Sequence, residues 1–346
     1  MSTQDWVGAA TALAETRAAT GIAIPVYLPP GADNDTGVAL LADNLSACVA
    51  AVDDPTAICL AVDGADCGAG PAGELARRFG TCLVVGERNR GKLHALRAGV
   101  ERLWERTELT WIAAIDADGD HFANELANLV RGALHARARG AAEVLVIGRR
   151  LSRHRPLGFL RGELEELADR VLLDALTWHA AVSHRPLRLV HATTMEEFPD
   201  FHSGFKLFSR GAAAAVFRAP AALCGVSEAA YYRHGCEAVM TVEALRAGAC
   251  LVLANRTTLN EQPVSTFGRL DRERLVADKI VWPCRRLGVP PPFLDQWLHN
   301  HIPRLLLTTL VPEGKRELVA IRERIAAEYG LPPADATALT SGPLFV

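Results

Sequence analysis

Three aspartates stand at alternate positions in Asp116-Ala-Asp118-Gly-Asp120, directly after the apolar run Trp111-Ile-Ala-Ala-Ile115. Carboxylates spaced this way on an extended segment project to one side and repel one another unless positive charge sits between them. A hard divalent cation, Mg²⁺ or Mn²⁺, meets that need. Such ions prefer oxygen, use one or two protein carboxylates, and complete their shell with water and substrate phosphates. An acidic turn that merely ends a strand and caps the helix from about Phe122 is the plainer alternative. The triplet's position at the carboxyl edge of an α/β sheet, where ligands bind, favours the metal.

Other groups collect at neighbouring strand ends. Pro25-Val-Tyr27 closes the first strand, Asp63-Gly64 the second, and Asn89-Arg-Gly-Lys92 opens the helix after the third. Proline breaks strand pairing and turns the chain outward, which leaves Tyr27 to stack on a planar ring, while Asp63 offers an acceptor to a base imide. Those are the needs of a pyrimidine site. Lys92, beside the flexible Gly91 at a helix N-terminus, is placed to meet a phosphate together with free backbone N–H groups.

The elements that must position these groups follow from periodicity. Strands are expected at Ile22 to Leu28, Ile58 to Val62, Thr81 to Val85, Trp111 to Ile115 and Glu143 to Ile147, with helices at Val38 to Ala51, Ala72 to Phe79, Lys92 to Glu105 and Ala123 to Arg139. Alternation of this kind implies a mostly parallel central sheet with helices on both faces. An Ala-rich helix precedes it. Beyond Arg149 we expect a long helix from Gly158 to Ala180, the segment Ser203-Gly-Phe-Lys-Leu-Phe-Ser209, a helix from Ser227 to Ala247, and a strand from Cys250 to Ala254. The tail from Leu270 reads as helical, interrupted by Pro290-Pro-Pro292. The expected division is 1–150 for a ligand-binding α/β half, 151–269 for the other half of the same domain, and 270–346 for a helical C-terminal extension.

With 346 residues, 49% of them hydrophobic, the chain can bury a large core. A formal charge of −3 without any Lys/Arg block gives no basic stripe for nucleic acid. Neither a leader pattern nor a run of membrane-span length is seen, so a cytoplasmic location with no transmembrane segment is expected. The eight cysteines lack paired short spacings and read as buried free thiols. Trp282, Trp297 and Leu305 to Leu307 are read as core, with peripheral membrane contact or a second copy of the chain as the other uses of such a surface.

Ile24-Pro-Val-Tyr27, Val62-Asp-Gly64, Asn89-Arg-Gly-Lys-Leu-His-Ala-Leu96 and Asp116-Ala-Asp118, in this order, resemble the successive signatures of glycosyltransferase family 2, which has the GT-A fold. The resemblance runs from about Ile22 to Gly268. It implies that Pro25, Tyr27 and Asp63 hold the nucleotide base, and that Asp116 and Asp118 bind the donor diphosphate through the metal. A closer pattern is that of the polyprenyl-phosphate hexose transferases. It implies Asp120 as a third metal-side ligand, and compares their Gly-Ser-Arg with Gly148-Arg149-Arg150 and their Asp-x-x-Ser-Gly-Phe-Arg with Asp200-Phe-His-Ser-Gly-Phe-Lys206. Two departures count against a lipid phosphate acceptor. Arg161 is followed one turn later by Glu165, whose charge would repel a phosphate, and no Gly-x-Ser-Lys element stands in Asn260 to Arg269. Arg269 remains a candidate to meet the diphosphate from its loop.

The reading is therefore a metal-dependent inverting transferase that moves a hexose or N-acetylhexosamine from a nucleoside-diphosphate sugar, UDP favoured by the Tyr27 and Asp63 pair, to a small soluble acceptor. A hydroxyl acceptor needs a general base; Asp200 is the first candidate and Glu237 the second. Transfer to a polyprenyl phosphate at the membrane surface is one alternative. Another is a haloacid-dehalogenase-like phosphatase with Asp116 as nucleophile, although three strands precede the motif and no downstream Gly-Asp-x-x-x-Asp element follows. A pyrophosphorylase lacks its Gly-rich loop here, Gly64 to Gly70 lacks dinucleotide-binding spacing, and a non-catalytic binding protein on the same fold is the remaining alternative.

Overall fold

A computed structural model of the chain describes residues 7–192, 198–259, 261 and 271–333. Helix α1 (Ala9–Ala19) leads into β1 (Thr20–Val26), followed by α2 (Asp35–Ala51), β2 (Ile58–Val62), α3 (Ala69–Phe79), β3 (Cys82–Val85), α4 (Lys92–Trp104), β4 (Trp111–Ala114), α5 (Leu126–Ala138) and β5 (Val144–Arg150). The later elements are α6 (Phe159–Ser183), β6 (Lys206–Ser209), α7 (Cys236–Arg246), β7 (Cys250–Arg256), α8 (Arg272–Arg286), α9 (Pro291–His301) and α10 (Gly314–Tyr329). The strands form one sheet in the order β3-β2-β1-β4-β6-β5-β7. Only β6 among them runs antiparallel to its neighbours, pairing with both β4 and β5. The mostly parallel, doubly covered sheet expected from the alternation is thus present.

The two faces follow the strand period of two. Ala23, Cys59, Ile112, Leu145 and Phe208 point to a core shared with α4, α6, α7 and the C-terminal helices. Ile22, Ile24, Leu60, Trp111, Val146 and Leu207 point to the opposite core, closed by α2, α3 and α5. Trp282, Leu305 and Leu307 are buried in the first core, whereas Leu306 is exposed. All eight cysteines are free, and six are buried. Among the described residues no helix is long and apolar enough to cross a membrane.

Local chemistry explains where elements start and stop. Pro25 lies beyond Ala23, the last residue of β1 paired with β4, and on the side that faced β4, so its missing N–H costs the ladder nothing. The proline triplet opens α9 rather than breaking a helix, with Pro291 at its first position. The helix expected from Ser227 to Ala247 is divided. A π-helical turn over Ala230–His234 closes with the Gly235 N–H donating to Ala230 O at 2.8 Å, and α7 begins afresh at Cys236. Both β5 and β7 run further than expected, to Arg150 and Arg256. Six parallel strands place their carboxyl ends along one edge, and antiparallel β6 brings its amino end, with Ser203 and Gly204, to that same edge.

Candidate active site

A cleft of about 520 Å³ opens along this edge. Pro25, Tyr27, Asp63, Lys92, Asp116, Asp118, Asp120 and Glu237, all singled out from the sequence, line it. Arg149 and Asp200 do not. Arg269 lies outside the described residues.

Tyr27 is 41% exposed at the β1 end, open to a planar ligand. Asp63 is buried and accepts one backbone N–H on each oxygen, from Arg90 at 2.9 Å and Gly91 at 2.8 Å. The carboxylate thereby braces the loop that starts α4, and each oxygen keeps a second acceptor position. Gly91 has φ +120°, and a Cβ there would lie 2.6 Å from Tyr232 C and O. Only glycine allows this close crossing of backbones at positive φ.

Lys92 Nζ lies 2.7 Å from Asp116 Oδ1 and 2.8 Å from Glu237 Oε1. Burial opposes the lysine's charge, but the two carboxylates overcome it and raise its pKa well above the usual value. Glu237 responds in the opposite sense. Burial alone would raise it, yet Lys92 and Lys279 hold it at about 2. Asp118 has no ion-pair partner within contact among the described residues; burial, then the neighbouring Asp116, push its carboxyl up to about 6 against the Asp120 N–H and the more distant Lys92. The Asp116 N–H donates to His121 Nδ1 at 2.9 Å, which leaves the ring proton on Nε2, 3.8 Å from Asp116 Oδ2. Burial, with Arg256 and Lys92 nearby, keeps His121 neutral. It orients Asp116, and neither ring nitrogen has a lone pair free for a metal.

The third aspartate is used differently from the expectation. Asp120 Oδ2 meets Arg256 Nη1 and Nη2 at 3.2 Å, and its Oδ1 accepts the Leu259 N–H at 3.0 Å. Its charge ties β7 to the triplet. Among the described residues there is no group of three or more His, Cys, Asp or Glu side chains arranged to hold a metal. Asp116 and Asp118 are therefore the carboxylates present for a cation that completes its shell with phosphate and water. The raised pKa of Asp118, set by burial and its two acidic neighbours, is what a nearby cation would relieve.

Asp200 is corrected as a candidate base. It is 1% exposed and receives the Arg150 backbone N–H at 3.0 Å, Nε at 2.9 Å and Nη2 at 2.5 Å, with Arg153 Nε at 3.5 Å. Burial would raise its pKa, but Arg150 and Arg153 force it far below the carboxylate range. Arg149, expected at the donor, does not line the cleft; its Nε donates to Asn255 Oδ1 at 3.0 Å. The repulsion expected from Glu165 is absent as well. Arg150 at 2.9 Å, Arg161 at 3.2 Å and Lys279 at 3.5 Å surround its carboxylate, and all three cations line the cleft.

Sequence reasoning missed Lys206, Arg256, Lys279 and His234. Lys206 is a buried cation whose Nζ donates to Phe201 O at 2.9 Å and to Ser203 O, holding the turn that carries Gly204. Burial lowers its pKa to about 8. A lysine between Phe205 and Leu207 in a strand was the available signal, since a charge in a buried strand must have partners.

No protein-family model matches the chain, and no curated protein matches it. Similar solved structures include residues 1–349 of TarS from S. aureus, at 12% identity and TM-score 0.44, covering 89% of this chain and 82% of that one. The longer TarS structure gives 12% identity and TM-score 0.45, with 93% of this chain matched to 50% of that chain, so the chain spans half of its length. A complex of TarS 1–349 with UDP gives 12% identity and TM-score 0.38, covering 89% and 82%.

Proposed function

We propose that the chain is a metal-dependent glycosyltransferase of GT-A fold and family 2 type, which moves a hexose or N-acetylhexosamine from a UDP-sugar to a small acceptor with inversion. One observation carries the reading. Strand ends and helix starts far apart in sequence bring Tyr27, Asp63, Lys92, Asp116, Asp118 and Glu237 to a single cleft, and the resemblance supports donor roles for Tyr27, Asp63, Asp116 and Asp118. Tyr27 stacks on the base, the free acceptor positions of Asp63 read its imide, and Lys92 meets the diphosphate. When bound at Asp116 and Asp118, a divalent cation neutralises the diphosphate as leaving group. Glu237 and His121 hold Lys92 and Asp116 in register.

The test is donor binding by calorimetry with UDP-glucose and UDP-N-acetylglucosamine, with and without Mn²⁺. Asp118→Ala is expected to remove the Mn²⁺-dependent part of the affinity while the protein stays folded. Equal affinity with and without Mn²⁺ in the wild-type chain would reject the metal assignment. A phosphoryl adduct on Asp116, seen by mass spectrometry after incubation with a phosphomonoester, would reject the transferase in favour of a phosphatase.

An acceptor that carries its own phosphate is the second reading. The charge-matched wall of Arg150, Arg161 and Lys279 around Glu165 favours it, and such an acceptor needs no proton removed.

A further inference from the structure

We propose that His234, oriented by Asp278, accepts the proton of the acceptor hydroxyl. This rests on the transferase reading and assigns its one unfilled chemical role. Asp200 is sealed against Arg150 away from the cleft, and Glu237 spends its Oε1 on Lys92 at 2.8 Å.

His234 ends the π-helical turn that precedes α7 and lines the cleft, with its side chain 9% exposed. Its Nδ1 lies 2.5 Å from Asp278 Oδ2 on α8. Asp278 is itself buried, with Arg274 Nε 3.7 Å from the same oxygen. A carboxylate can only accept, so Nδ1 carries the ring proton and Nε2 keeps a lone pair. Nε2 has no hydrogen-bond partner among the described residues, and it is not one of the polar atoms sealed from solvent. On a ring that lines the cleft, that nitrogen is the one left to face it. The geometry is a base held in one tautomer by a buried carboxylate, within a wall that also carries Arg233, Glu237 and Lys279.

The step balances. As the acceptor oxygen bonds to the anomeric carbon, its proton passes to Nε2. The bond from that carbon to the diphosphate oxygen breaks, and its electron pair leaves with UDP. The imidazolium keeps its Nδ1–H on Asp278, whose charge stabilises it, and loses the new proton to solvent afterwards.

The experiment follows UDP release from UDP-glucose and UDP-N-acetylglucosamine with Mn²⁺ and water as acceptor, in wild type, His234→Gln, His234→Ala and Asp278→Asn. His234→Gln is expected to lower kcat by about 10²- to 10⁴-fold with donor affinity by calorimetry nearly unchanged. Asp278→Asn should lower kcat at least ~10-fold by releasing the tautomer. Added imidazole should restore part of the His234→Ala rate, which loss of a merely structural side chain would not allow. If both His234 variants bind donor and match the wild-type kcat, the assignment of His234 is overturned while the transferase reading stands, and the phosphate-bearing acceptor takes its place. If the wild-type chain binds no UDP-sugar, both are overturned.

Discussion

Gly204 sits where β6 enters the edge of the sheet, and the side chains of β4 and α4 close directly over it. A Cβ there would stand 2.7 Å from Asp116 Oδ2, and 3.1 Å from both Lys92 Nζ and His121 Cε1. The absence of a side chain at one position is thus a condition for the Lys92–Asp116 pair. Gly204→Ala is expected to push that pair aside by a sizeable part of an ångström. Displacement on this scale lowers turnover by about 10²-fold in positioned sites. The expected result is a UDP-release rate reduced by about that factor, with a melting temperature close to wild type because the strain relaxes into the open cleft. An unchanged rate would mean that the pair does not need its observed position.

At the scale of elements, Arg150 is the joint between sheet and helices. It ends β5 and bonds Asp200 from the segment before β6 and Glu165 from α6, while Lys279 of α8 reaches the same Glu165. A buried pair adds little net stability over an apolar replacement of both partners, but removing one partner leaves charge stranded without solvent. Arg150→Met is expected to cost about 3–5 kcal/mol in urea unfolding. Adding Asp200→Asn should return part of that loss by removing one stranded carboxylate. Additive losses in the double variant would show that the two groups do not interact.

At the scale of the whole molecule, stability depends on pH through groups shifted in opposite directions. Asp118 is raised from 3.8 to about 6, so the folded state holds its proton more tightly than the unfolded chain. Its contribution is full below pH 3.8 and lost as pH rises through 6. Glu237 is lowered from 4.5 to about 2, and Glu165 and Asp200 are lowered too. Their contribution is full above the ordinary carboxylate range and lost as pH falls toward their folded values. Buried His121, lowered well below 6.5, adds a contribution that grows as pH rises toward neutrality, while Asp118 offsets part of the gain between pH 3.8 and 6. Scanning calorimetry should show stability falling on the acid side, a steeper rise in melting temperature between pH 4 and 6 in Asp118→Asn than in wild type, and a larger Mn²⁺-induced rise at pH 7.5 than at pH 4.5.

Strand ends, the acidic triplet and the order of the motifs were legible in the sequence because each is a local property. Apolar runs of strand length, a proline after Ile24 and an aspartate before Gly64 state their roles within a few residues. What Lys92 touches is not local, since Glu237 lies 145 residues away, and only the fold brings the start of α7 to the start of α4. Asp200 looked like a base because a carboxylate near a Ser-Gly turn is written plainly, whereas the Arg150 that neutralises it is 50 residues earlier. The partner of Asp120 was hidden for the same reason, since Arg256 is 136 residues away. The place of β6 between β4 and β5 is likewise a matter of register across the sheet, and no period within Lys206–Ser209 encodes its neighbours. The sequence alone therefore determined which groups reach the sheet edge, through periodicity and turn chemistry. The tertiary structure decided which of their charges are spent on one another and which remain for a ligand, because Coulomb pairing and burial depend on distance in space and not along the chain.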